Sequence, residues 1–159
     1  MSNISTFDPA SFLDMPVDVE FKKRPPLPVG DYTATIQDLT SRQWQGKQDP
    51  TKTGIAYDLK LAIEIPEAVR AALDLAFPTI TLNDSIMLDL TAEGAIDGAP
   101  GRNRGLRNYR DALDMNKAGE TFRARNMIGR LLRVKISHEI WPIGSTDVVE
   151  RVSGVSKIG

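Results

Sequence analysis

Between Arg102 and Lys135 the chain places ten basic residues: Arg102, Arg104, Arg107, Arg110, Lys117, Arg123, Arg125, Arg130, Arg133 and Lys135. Only Asp111, Asp114 and Glu120 oppose them, so ten cations less three acids give this stretch +7. The whole chain carries −1, which leaves −8 for everything else. Eight of the ten are arginine, the side chain whose planar fork fits phosphate oxygens and stacks on bases. A basic third on an acidic body is the electrostatic footprint of a polyanion site. The competing reading is a solvated helix face that happens to be rich in arginine.

A second group stands upstream. Trp44 sits between Arg42 and Lys47 in the polar stretch 41–54, which reads as a loop. An exposed tryptophan flanked by cations suits base stacking beside a phosphate backbone, a contact worth about 1–3 kcal/mol per base. The alternative is a loop tryptophan folded back over the mouth of the expected barrel. The site expected from sequence therefore has two parts. Arg42, Trp44 and Lys47 would contact bases and backbone, and Arg102, Arg104, Arg107, Arg110, Arg130 and Arg133 would contact phosphates. Tyr109 and Trp141 read as core.

Catalytic chemistry finds little support. The chain has no cysteine, which removes thiolate metal sites, disulfides and Cys nucleophiles. His138 is its one histidine, too few for a His-rich metal site, and its place in the apolar phase of a strand reads as semi-buried. Asp58-Leu59-Lys60, with Asp31 or Asp38 upstream, matches half of the acid-x-Lys pattern of metal-dependent nucleases. Its alternation with apolar residues fits a cross-strand ion pair better. Gly94, Gly98, Gly101 and Gly105 fit neither the Walker A loop nor the dinucleotide fingerprint, and read as a flexible loop. No Gly-x-Ser-x-Gly elbow occurs. The expectation is a non-enzymatic chain with no cofactor and no metal.

The elements that must position these groups are mostly strands. Tyr32, Ala34 and Ile36 alternate with polar residues, and Ile55 to Ile65 alternates over a longer run, both at the two-residue period of half-buried strands. Pro66 to Leu73 reads as a short helix with proline in its first turn. Thr79 to Leu90 reads as a third strand with a change of phase near Asn83-Asp84. Leu106, Tyr109 and Leu113 recur at helical spacing, and Phe122 to Ile128 adds another helical turn. Leu132, Val134 and Ile136 mark a fourth strand, and Val148 to Val155 a fifth. Hydrophobic residues at 41% suffice for a core and argue against disorder. Residues 1–29 read as an extended arm, with Pro25, Pro26 and Pro28 forcing extended geometry. Residues 30–159 read as the folded domain: a mainly β, OB-like, five-stranded Greek-key barrel with one or two short helices.

The order of motifs carries a resemblance. Pro26-Leu27-Pro28-Val29-Gly30-Asp31-Tyr32-Thr33-Ala34-Thr35-Ile36 leads to Thr53-Gly54 and the long alternating strand. Leu106-Arg107-Asn108-Tyr109-Arg110-Asp111-Ala112-Leu113 and Met127-Ile128-Gly129-Arg130-Leu131-Leu132-Arg133-Val134 follow. Over residues 25–155 this resembles a family of small bacteriophage OB-fold proteins regarded as single-stranded DNA-binding or recombination-associated. The matching glycines are turn positions, so the resemblance assigns no site residue. The chain departs from many single-strand binders in ending Val155-Ser156-Lys157-Ile158-Gly159 rather than in an acidic tail, and in its long arm.

The expected function is phage-encoded binding of single-stranded DNA with little sequence specificity, in replication or recombination. The alternative is a virion structural protein, decorating or cementing a capsid by an arm that grips neighbouring subunits. Single-stranded DNA is the expected partner, with homo-oligomers through the arm and other phage proteins as further ones. No run is apolar enough to span a membrane, and the start of the chain lacks the pattern of a signal peptide. Host cytoplasm is the expected compartment, or the virion under the alternative.

Overall fold

The structure is a computed structural model that describes residues 7–159. Five strands, β1 (Gly30–Gln45), β2 (Thr53–Glu64), β3 (Thr79–Met87), β4 (Leu131–Ile140) and β5 (Val148–Ser156), form one antiparallel sheet in the order β3-β2-β1-β4-β5. Among the described residues three α-helices accompany them: α1 (Pro9–Leu13) ahead of β1, α2 (Glu67–Leu73) between β2 and β3, and α3 (Arg104–Ala112) between β3 and β4. The mainly β expectation holds, in the form of one open sheet.

β1 organises the sheet because both neighbours use it. Gly30 to Thr35 pairs with β4, while Ala34 to Gln45 pairs with β2. A bulge between Ile36 and Asp38 leaves Gln37 without a register partner on β2. Such an extra residue bends a strand and reverses the phase of everything beyond it. Tyr32, Ala34 and Ile36 face the core before the bulge, and Leu39 packs toward it afterwards. The polar stretch expected as a loop over 41–54 is consequently much shorter. Residues 41–45 continue β1, residues 53–54 begin β2, and only 46–52 turn.

β3 differs from expectation too. Its register against β2 runs unbroken from Thr79 to Met87, and Ile80, Leu82 and Ile86 all belong to the core side. No phase change occurs at Asn83-Asp84. Asp84 occupies an inward position of that same row, where a carboxylate interrupts the apolar pattern and imitates a turn in sequence.

The core is built from the inner rows of all five strands, closed by Leu106, Tyr109 and Ala112 of α3 and by Met127. Gly105 lets α3 come close to β3, since a Cβ there would stand 3.4 Å from Ile86 Cγ2. β3, α3 and β5 meet around a cleft of about 140 Å³ lined by Asp84, Tyr109 and Val152 to Val155. The glycine-rich connection before α3 is tied down by buried Asn103. Its side chain accepts from Asp89 N–H and donates to the carbonyls of Asp89 and Asp97, while its own N–H donates to Asp89 Oδ2 (2.8–2.9 Å).

The first six residues of the expected arm lie outside the described residues. Residues 7–23 are exposed, and α1 is a short helix that sequence periodicity did not suggest, capped by the Asp8 carboxylate accepting from Ala10 N–H at 3.2 Å. The far end of the arm is fastened down. Leu27 is fully buried, and Arg24 makes a two-pronged bond to Glu150 at 2.6 and 3.0 Å. Glu150 also accepts from Leu27 N–H at 2.8 Å. His138 is exposed, rather than semi-buried, and its Nε2–H donates to the Leu27 carbonyl at 2.6 Å.

Candidate nucleic-acid interface

A broad depression lies where the bulge turns β1 over. Leu39 and Ser41 of β1 and Tyr57 of β2 form one wall, Phe122, Arg123, Ala124 and Arg125 the other, and Ile96 the rim, around about 610 Å³. Ser41 and Tyr57 are register partners, so they project side by side from the same face. The opposite wall is pinned at both ends. Met127 is fully buried at the end of a 3-10 turn (Ala124–Met127). Immediately after it, Gly129 N–H donates to the Ile36 carbonyl at 2.7 Å and Ile36 N–H donates to the Arg130 carbonyl at 2.9 Å. Those two bonds fix the arginine-bearing segment against the bulge of β1. Phe122 is half-buried and stays placed because the Arg110 guanidinium lies 4.3 Å from its ring centroid. Arg110 in turn donates from Nε to the Met115 carbonyl at 3.2 Å.

Two further depressions adjoin this one. Ile96 is shared with a pocket of about 210 Å³ that includes Arg102, Arg107 and Arg110. Phe122 is shared with one of about 450 Å³ that includes Arg130, Asp114 and Glu120. Six arginines, Arg102, Arg107, Arg110, Arg123, Arg125 and Arg130, thus border a basin of three adjoining depressions that contains two aromatic rings. Four belong to the set expected from sequence. Arg123, Arg125, Tyr57 and Phe122 were missed. Tyr57 reads as ordinary strand core by its period, but the segment Phe122-Arg123-Ala124-Arg125, an aromatic followed by alternating arginines, was a signal available in the sequence.

The basin's charges are mostly free to act. Among the described residues Arg123, Arg125 and Arg130 form no ion pair within 4.0 Å. Arg102 stands 3.7 Å from Asp97 and Arg107 4.0 Å from Asp111, both at the surface. Loose exposed pairs like these contribute little and are readily exchanged for another anion.

The other expected residues stand elsewhere. Arg42 and Trp44 have the phase opposite to Leu39 and Ser41, so they occupy the outer face of the hairpin. Arg42 grips Asp58 with two bonds, 2.8 and 3.1 Å, and Ser85 Oγ–H donates to the same carboxylate at 2.7 Å. These bonds, Arg42 first, hold the Asp58 carboxyl below its usual range. The cross-strand ion pair expected of Asp58 is therefore made with Arg42. Trp44 lies in a strand, half-buried, with its indole over its register partner Gly54. A Cβ on Gly54 would stand 2.5–2.6 Å from the ring. Among the described residues the indole Nε1–H, buried there, has no acceptor. Lys47 is exposed in the turn. Arg104 is exposed on α3 and lines none of these depressions. Arg133 projects outward from β4 opposite Thr33. With β1 rising about 3.3 Å per residue, Thr33 and Arg42 are some 30 Å apart along the strand. The expected residues therefore divide into a basin set and a scattered outer set.

Among the described residues, no three His, Cys, Asp or Glu side chains cluster as metal ligands, and no helix is long and apolar enough to cross a membrane. No protein-family model matches the chain, and no curated protein matches it.

Proposed function

We propose that this chain binds single-stranded nucleic acid, DNA by preference, with little sequence specificity and without catalysis, and that its basic basin is the binding surface. The observation that carries the reading is the pairing of Tyr57 and Phe122 with Arg123 and Arg125 across one groove. Ring faces accept any base, and guanidinium groups accept any phosphate, so the combination is sequence-tolerant. The finer fold reading, an OB-like Greek-key barrel of the phage single-strand-binder type, is supported by the strand order. β1 is shared by both halves of the sheet, the helix between β3 and β4 closes one end, and the two edge strands approach at the α3 cleft.

The test is fluorescence anisotropy with a labelled oligo-dT across a range of salt. If all six basin arginines meet phosphates, the slope of log K against log salt is about −4, from roughly 0.7 counterions released per phosphate of a single strand. Arg123→Glu with Arg125→Glu removes binding while leaving the folded spectrum intact. Absence of binding at low salt by the wild-type chain overturns the reading.

A second reading, a virion structural protein, is favoured by one observation. The arm exposes Phe7, Phe12, Leu13, Met15, Val17, Val19 and Phe21, each more than half accessible.

A further inference from the structure

The same arm has a composition the basin lacks. Residues 7–21 carry Asp8, Asp14, Asp18 and Glu20 and no lysine, arginine or histidine, a net −4. From Met15 onward the pattern alternates: Met15, Val17, Val19 and Phe21 on one side, Asp18 and Glu20 on the other. All of these residues are exposed, and among the described residues the first side-chain bond from the arm to the domain is Lys23 to Asp147 at 3.4 Å. An extended segment of this kind, apolar on one side and acidic on the other, needs a groove with an apolar floor and a cationic rim. The 610 Å³ groove has both, with Leu39, Tyr57, Ile96 and Phe122 beside Arg123 and Arg125.

We infer that the Met15–Phe21 segment of one copy docks in the Tyr57–Phe122–Arg123–Arg125 groove of a second copy. The tether decides between a second copy and the segment's own groove. Arg24 is bound to Glu150, and Glu150 pairs with His138, two residues beyond the Ile136 partner of Gly30. That end of the sheet is some eleven residue steps from Leu39, about 35 Å along the strand. Val17 is only seven residues from Arg24, so it reaches at most about 25 Å even when fully extended. Because arm and groove are different patches of one chain, the contact is head-to-tail, and it propagates into a ring or a filament. This inference shares the groove with the nucleic-acid reading but stands without it.

Sedimentation velocity of the full chain, from low to tens of micromolar and at two ionic strengths, tests it. The wild type associates with increasing concentration, more strongly at low salt. Asp18→Lys with Glu20→Lys, at exposed positions that make no side-chain hydrogen bond or ion pair among the described residues, weakens association about tenfold or more, as does Arg123→Glu with Arg125→Glu. Combining both pairs in one chain restores it, because the charges are then exchanged on both sides. A wild type that stays monomeric overturns the inference, and so does association that survives the arm swap. An arm swap that abolishes association which the combined chain fails to recover also overturns it, by removing the groove as receiver. Oligo-dT binding is read separately: its loss leaves this result intact, and assembly failure leaves binding intact.

Discussion

The Tyr109 hydroxyl donates to Asp84 Oδ2 at 2.5 Å, joining the buried face of α3 to the inner row of β3. Ser85 N–H supplies a second donor to the same carboxylate at 2.9 Å. Burial pushes the Asp84 carboxyl above its usual range, and the two hydrogen bonds offset that only in part. For Tyr109, burial and then the neighbouring Asp84 charge push the phenol far above its ordinary value. The pair latches the helix that closes the sheet and carries Arg107 and Arg110 to the basin.

Opposite limbs of the stability curve report on the two partners. An acid whose folded pKa is raised binds its proton more tightly when folded. Its contribution is therefore fully present below the unfolded value of 3.8 and is lost as pH rises through the elevated folded value. Asp84→Asn, which keeps an acceptor but no charge, gains stability relative to wild type as pH rises over that window. Tyr109 obeys the same rule at the alkaline end: stability falls as pH climbs above 10.0, where the unfolded phenol ionises and the folded one does not. Tyr109→Phe removes that alkaline limb, and by leaving a buried carboxylate short of a donor costs about 1–3 kcal/mol at neutral pH. Urea unfolding of the three chains across pH checks both limbs.

Why the sequence revealed the strands but not the basin follows from the same residues. Period-2 alternation marks Tyr32 to Ile36, Ile55 to Ile65 and Leu132 to Ile136 because each has one face in the core, and all three are strands in the structure. Alternation does not report a bulge whose extra residue, Gln37, and the residue after it, Asp38, are both polar. The reversal at Gln37 therefore went unread, and with it the assignment of Ser41 and Tyr57 to one face and Arg42 and Trp44 to the other. Asp84 misled for the converse reason, since its partner Tyr109 is 25 residues distant in the chain. The charge excess of residues 102–135 was legible. Its division between the basin and the outer surface was not, because that depends on how the 3-10 turn is pinned to Ile36.

Gly54 is required by the indole lying on it. With Trp44 Cε2, Cζ2 and Nε1 within 2.5–2.6 Å of any Cβ at that position, Gly54→Ala must displace the ring or the strand. Overpacking of this order costs about 1–3 kcal/mol. The displaced indole gains water, so Trp emission shifts to the red, and Trp44→Leu in the same background recovers part of the stability. Chemical denaturation with fluorescence detection separates the two effects.

Glu150 holds the arm by three bonds, two from Arg24 and one from Leu27 N–H. Its side chain is 9% exposed against 30% for Arg24, which places the pair largely out of water. Glu150→Ala leaves a guanidinium and a backbone donor without their acceptor, and costs about 2 kcal/mol or more. The loss is local before it is global: Leu27 is freed from the core, and limited proteolysis cuts near Arg24 at protease levels that leave the wild type whole. Arg24→Lys, which keeps the charge but not the two-pronged geometry, falls between the two.

Arg42 and Trp44 separate the two halves of the expected site. Arg42 is already committed to Asp58 with two bonds, and Asp58 is held further by Ser85. A phosphate would have to displace a carboxylate that lies on the same face at hydrogen-bonding distance, an exchange of one anion for another with little net gain. Trp44 presents an indole already covered on one side by Gly54. Arg42→Ala and Trp44→Ala therefore change oligo-dT affinity by no more than about twofold, well below the 1–3 kcal/mol of a stacked base. Tyr57→Ala and Phe122→Ala each cost about tenfold, within that same range. Phe122→Ala also frees Arg110, whose contact with the ring is worth about 0.5–1 kcal/mol to the fold. Anisotropy titrations of the four variants, each normalised to its folded fraction by circular dichroism, decide which face carries the nucleic acid. Loss of binding in the Arg42 and Trp44 variants, with the Tyr57 and Phe122 variants unaffected, moves the interface to the outer side of the hairpin.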